Sequence, residues 1–240
     1  MMNIYIFISA ILPVLVLLFY IYRKDASQPE PKKEMIKAFF WGLVSVAISF
    51  MFSIPFQEMG LFSVVNTTLS EVFRMAFFAA AIPEELAKYI VLWYFMRKTK
   101  HFDQRIDGIV YAVCISLGFA AFENVMYLFT NQGNWIYVGA SRALTSVPGH
   151  FGFGVLMGYY YSLSKFDSHL YATAKYKTIL VPILVHGIFD IICFVSDIAP
   201  YLALFMTLVL FVFCHKLWKY GSQRIKEHIE RDCKGGNFSK

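Results

Sequence analysis

Polar residues are so sparse in this chain that the runs between them define its elements. Seven predominantly apolar stretches, near residues 4–22, 35–54, 69–96, 107–129, 138–163, 178–195 and 200–219, are each long enough for a helix to cross a hydrocarbon layer of about 30 Å at about 1.5 Å per residue. The loops between them alternate in charge. Arg23, Lys24, Lys32, Lys33 and Lys37 follow the first stretch, Arg97, Lys98, Lys100 and Arg105 the third, Lys165, Lys175 and Lys177 the fifth, and a basic segment from Lys216 the seventh. The intervening loops, roughly 55–68, 130–137 and 196–199, hold no Lys or Arg. Because positive residues stay on the cytoplasmic side, the pattern predicts an all-α polytopic membrane protein of about seven transmembrane helices, N-terminus outside and C-terminus cytoplasmic.

Composition strengthens this reading. The chain is 58% hydrophobic and 16% charged, with mean hydropathy +0.54, far more apolar than a soluble domain of this length. The net charge of +6 reflects topology signals rather than a nucleic-acid surface. Basic residues follow the first stretch at once, with no cleavage site between, so it reads as a membrane helix and not a signal peptide. The four cysteines show no metal spacing, and Cys114, Cys193 and Cys214 lie in apolar runs. Residues 1–220 read as one transmembrane catalytic bundle and 221–240 as a cytoplasmic basic tail, a solvated or membrane-surface helix with a disordered end.

The chemistry lies where polar residues interrupt the spans. Glu84 and Glu85 fall near the centre of the third with Lys88 one turn later, Glu123 and Asn124 in the fourth, His150 in the fifth, and His186 and Asp190, sharing a helix face, in the sixth. Five charged side chains at about 3 kcal/mol each would cost on the order of 15 kcal/mol if each faced lipid. They must face one another or a wet cavity, and intramembrane ionisable groups mark functional sites. A Glu–Lys pair alone could be a structural ion pair; two histidines, four acids and an amide from four helices exceed what packing requires. Glu71 with Arg74, and Arg142, near outer helix ends, read as surface groups able to snorkel. His101, His169, His215 and His228 read as solvated, and Gly154 with Gly158 as a close helix contact supporting His150.

Carboxylates with neutral imidazoles suit Zn2+. His150, His186 and one acid, Glu123 or Asp190, could supply three ligands with water in the fourth position, and Glu84 or Glu85 could take the water's proton. The product is hydrolysis. No His-Glu-x-x-His, Gly-x-Ser-x-Gly or paired-aspartate arrangement is present. The same groups would also serve a proton-coupled transporter, the alternative reading, although no internal repeat supports it. A non-catalytic seven-helix sensor does not account for so many ionisable groups at one depth.

Pro83-Glu84-Glu85-Leu86-Ala87-Lys88, Phe119-Ala120-Ala121-Phe122-Glu123-Asn124, Gly149-His150 and His186-Gly187-Ile188-Phe189-Asp190, in this order on successive spans, resemble the PrsW family of membrane proteases, related to the CAAX-processing and bacteriocin-processing proteases. The resemblance covers about residues 25–200. It implies that Glu84 and Glu85 are the catalytic glutamates, Glu84 being the water activator, and that His150 and His186 are catalytic or metal-binding. Glu123, Asn124 and Asp190 complete the shell, with Lys88 in support. Glu123 stands where the CAAX pattern has a histidine, and Lys88 one residue before that pattern's arginine, departures that favour PrsW. The implied role is site-1 proteolysis of a single-pass anti-sigma factor in envelope stress signalling, in the bacterial cytoplasmic membrane. The resemblance leaves open whether zinc takes part.

Overall fold

The computed structural model describes residues 2–25, 28–63 and 67–235; the last residues of the expected tail lie outside them. The described residues are helical with no strand. In chain order the helices are α1 (Met2–Lys24), α2 (Lys32–Glu58), α3 (Leu69–Arg74), α4 (Ile82–Lys98), α5 (Arg105–Thr130), α6 (Trp135–Leu144), α7 (Ser146–Phe166), α8 (Tyr171–Ile198) and α9 (Ala203–Gly235). Five stretches, containing α1, α2, α5, α8 and α9, are long and apolar enough to cross a membrane. The expected third and fifth spans, which bear much of the polar cluster, are the ones that depart from regular helix. The protein is an all-α polytopic membrane protein.

The third span is a single rod whose α3 and α4 are joined by a π-helical segment, Met75–Ala81. Pro83, second residue of α4, explains the wide turn. A proline has no N–H to give the carbonyl four residues earlier, and its ring collides with that carbonyl in an α-helix. Five-residue spacing relieves the collision, and the Ile82 N–H accordingly donates to Phe77 O. The expected fifth span is broken at Thr145, whose φ of −125° and ψ of −67° leave the helical region. Pro148 is the cause by the same argument applied to Leu144. The break turns α6 into a short, separate helix.

α5 is the axis of the bundle, every residue from Ile106 to Ala121 being buried. Glycine lets its neighbours approach. A Cβ on Gly158 of α7 would lie 2.3 Å from Gly108 O, and one on Gly42 of α2 would lie 2.1 Å from Ile115 O, so both helices ride backbone against backbone on α5. The close contact expected around Gly154 and Gly158 is therefore present. On the outside, Ile4, Phe7, Phe19, Phe40, Met51, Leu204 and Phe211 are exposed on α1, α2 and α9, as lipid-facing helices require.

The lysine-rich loops gather at one end. Tyr111 donates to Glu30, Lys165 to Phe102 O, and Arg105 pairs with Asp167 at 3.2 Å. α9 continues to this end as an unbroken helix. Its Asp232 accepts from the Arg105 and Ile106 N–H groups at 3.0 and 2.9 Å, capping the positive end of α5, and Ile225 and His228 are buried. His228 is thus a packed residue, its ring stacked on Tyr159.

At the other end, Glu71 and Arg74 do not pair. Glu71 caps α3 through Thr67 and Thr68, and Arg74 donates to Leu61 O at 2.6 Å and to Gly60 O. The first turn of a helix leaves N–H groups that a carboxylate satisfies, and this local role outcompetes a solvated ion pair.

Candidate active site

Glu84 and Glu85 are adjacent on α4 and so project about 100° apart. Glu85 is fully buried, whereas Glu84 lines a cavity of about 400 Å³. The cavity walls also carry Glu123 and Tyr127 of α5, Arg142 of α6, Thr145, His150 of α7, and His186 and Asp190 of α8. Met75, Ala79 and Ala80 of the π-segment border it with small or flexible side chains, so the distortion forced by Pro83 forms one wall. Tyr127 lies near the end of α5 opposite Arg105, which places the cavity away from the lysine-rich loops.

Lys88 organises the buried side of the cluster. Its Nζ donates to Glu85 Oε1 at 2.9 Å and Glu84 Oε2 at 3.3 Å, and lies 3.1 Å from His150 Nδ1. The Phe119 ring centroid is 4.1 Å away, a cation–π contact in a desolvated place. An ammonium can only donate, so His150 Nδ1 accepts and the ring proton sits on Nε2, which donates to Glu123 Oε2 at 2.9 Å. His186 has the opposite tautomer preference. Its Nδ1 faces Glu85 Oε1 at 2.9 Å, and a carboxylate fixes that nitrogen as a donor. His186 Nε2 is then turned to Glu84 Oε2 at 3.9 Å and Asp190 Oδ2 at 3.4 Å. The ring is held by a stack on Phe153, centroids 4.6 Å apart.

Arg142 is not a surface group. Its Nη2 donates to Glu123 Oε2 at 2.8 Å and its Nε to Asn124 Oδ1 at 2.7 Å, with the guanidinium 4.1 Å from the Tyr127 ring centroid. Asn124 Nδ2 in turn donates to Ala10 O of α1 at 3.1 Å. The break at Thr145 aims α6 so that Arg142 reaches inward, and Pro148 inside an apolar run is the sequence signal that marks it. Two oxygens of the cluster, Glu85 Oε2 and Asp190 Oδ2, are buried without a hydrogen-bond partner among the described residues. Such acceptors normally have partners, and Asp190 stands on the cavity wall.

All eight polar residues expected to form the site thus lie in one connected network. Two subsets bear on metal binding. His150 meets Glu123 and His186 meets Asp190, but as two separate pairs. A different set, Glu84, Glu85 and His150, offers ligand atoms all within 4.8 Å of one another. It has donors of the right type for a divalent cation, yet Lys88 Nζ stands among those same atoms.

Residues 30–217 match the family described as PrsW family intramembrane metalloprotease. Proteins named Protease PrsW are similar over nearly the whole chain. That of Clostridioides difficile is 32% identical, covering 97% of this chain and 95% of the relative. That of Oceanobacillus iheyensis is 35% identical, with 92% and 95% covered, and that of Bacillus subtilis 33%, with 91% and 93% covered. No solved structure matches. The carrier reading gives way to a peptidase, and the chain belongs to the PrsW family of membrane-embedded proteases.

Proposed function

We propose that the protein is an intramembrane, site-1 protease of the bacterial cytoplasmic membrane that hydrolyses a peptide bond of a single-pass anti-sigma factor during envelope stress signalling. One observation carries the proposal of the site: Glu84, Glu123, His150, His186 and Asp190 line a single cavity, set among apolar helices and away from the lysine-rich loops. The substrate class and the stress role rest on the resemblance to the family.

In this reading Glu84, the cavity-facing member of the pair, accepts a proton from water as the water oxygen attacks the scissile carbonyl carbon. The C=O pair moves onto oxygen, and Arg142 and the His150 Nε2–H, both held by Glu123, supply positive character beside it. The proton taken up by Glu84 then passes to the leaving amine as the C–N bond breaks, relayed by His186 Nε2, which is free to accept it because Glu85 holds the ring proton on Nδ1. Asp190 Oδ2 accepts from the water or from a substrate N–H. Burial strengthens each of these interactions, because little solvent competes inside the bundle.

The family description calls for a metal. Glu84, Glu85 and His150 fit one by donor type but hold an ammonium at the point they share.

Purified protein in proteoliposomes with a single-pass substrate tests the reading. Glu84→Gln, Glu85→Gln, His150→Ala and His186→Ala are expected to abolish cleavage, by about 100-fold or more, while insertion and melting behaviour persist. Full activity in all four would sink it.

A further inference from the structure

Lys88 is 1% exposed, yet it extends a charged group into the membrane interior. An ammonium has three N–H donors, and three acceptors meet it: Glu85 Oε1, His150 Nδ1 and Glu84 Oε2, at 2.9, 3.1 and 3.3 Å. Phe119 closes the remaining side. These acceptors come from the same three residues whose ligand atoms lie within 4.8 Å of one another. Zinc bonds are about 2.1 Å long, which in a tetrahedron spaces the donors about 3.4 Å apart. The approach to Lys88 Nζ is about 1 Å longer, at hydrogen-bonding distances. The nest is sized for an ammonium.

We propose that Lys88 is the site's built-in cation: its ammonium fills the position that a divalent ion would take between Glu84, Glu85 and His150, so that lysine and metal are mutually exclusive there. The family's metalloprotease description is not met at this triad while Lys88 remains in place. Physically, one fixed cation can do what an ion's charge would do for the ground state. It keeps Glu84 and Glu85 close together, holds the His150 tautomer, and leaves Glu84 facing the cavity, without needing a metal supply. It cannot serve as an open coordination position for water, so proton abstraction falls to a carboxylate. The inference deepens the proposed function but is tested without it, since the readout is metal binding rather than cleavage.

Full-length protein purified in detergent is titrated with Co2+, whose visible absorption reports tetrahedral ligation, and its zinc content is measured after growth with added zinc. Wild type is expected to hold no stoichiometric ion at this triad. Lys88→Met removes the ammonium and should gain one tetrahedral cobalt per chain, lost again in Lys88→Met/His150→Ala. Lys88→Arg, which keeps the charge, should exclude cobalt as wild type does.

One equivalent of ion in wild type that Glu84→Gln or His150→Ala removes would overturn the proposal. So would a folded Lys88→Met protein that gains no ion. Lys88→Gln is the second uncharged variant should the methionine protein not fold. If neither folds, wild type decides: imidazole-ligated cobalt at the triad overturns the inference, and its absence in excess cobalt supports it. Loss of cleavage in every variant with these metal results unchanged would bear only on the mechanism.

Discussion

Arg142 satisfies two acceptors at once, Glu123 through Nη2 and Asn124 through Nε. A planar guanidinium has this fork built in and an ammonium does not. Arg142→Lys is therefore expected to lower kcat by about 10- to 100-fold, since one oriented charge-assisted contact is worth about 1.5–3 kcal/mol. KM should change much less, and the melting temperature should show whether packing on Tyr127 survived. An effect on KM alone would place Arg142 in substrate binding instead. The meeting of Glu84, Glu85, His150 and His186 was legible from sequence because each is too costly to leave facing lipid on its own. Arg142 was not, because its depth depends on where the chain breaks. An arginine near the end of a span looks like any residue that reaches the headgroups, until Thr145 leaves the helical region and α6 is redirected.

Two prolines shape the helices that bear the site. Pro83 gives the third span its π-turn and Pro148 divides the fifth, and both irregularities border the cavity. Hydropathy reports length and apolarity, so it located these spans but passed over their internal geometry, which depends on which carbonyls a proline leaves without an N–H. The α5–α7 contact was legible through Gly154 and Gly158, since a small residue every fourth position is the pattern close helices use. That contact has no slack. Gly158→Ala places a Cβ 2.3 Å from Gly108 O and 2.5 Å from Ile109 Cα, both backbone atoms that cannot rotate aside. Overpacking of this kind costs about 1–3 kcal/mol or more, and the variant should melt lower and lose activity as His150 is displaced. Gly221→Ala, whose Cβ would meet Val155 at an ordinary 3.6 Å, is the matched control and should be tolerated. Equal tolerance of both would show that α5 and α7 are free to separate.

The molecule is tied together at its lysine-rich end, where segments distant in sequence meet. Asp25 after α1 accepts the Glu30 N–H at 2.9 Å. Burial, with the like charges of Glu30 and Asp232 nearby, pushes its carboxyl up from 3.8 to about 7; burial raises Glu30 as well. A raised acid favours the protonated folded state, so this group costs nothing below about pH 4 and destabilises progressively as pH rises toward 7. Asp25→Asn keeps the acceptor and removes the charge. It should raise the melting temperature in detergent at pH 8 and leave it unchanged at pH 4; a shift of equal size at both would locate the effect in packing. The long helices could be read from the apolar runs, five of which are stretches long and apolar enough to cross a membrane. The docking of the α9 end on α5 could not, because a mixed-charge helix reads the same whether it is solvated or capped against a neighbour. The size of the cavity has a last consequence. A helix with its side chains is about 10–12 Å across and rises about 5.4 Å per turn of 3.6 residues, on the order of 500 Å³, so a cavity of about 400 Å³ admits about three residues, fewer than one turn. Three residues close no hydrogen bond of the four-residue helical ladder among themselves, so a helical substrate is expected to unwind locally where it enters. Selection then acts on how cheaply a substrate frays, through a glycine or proline near the scissile bond, as much as on which side chains flank it.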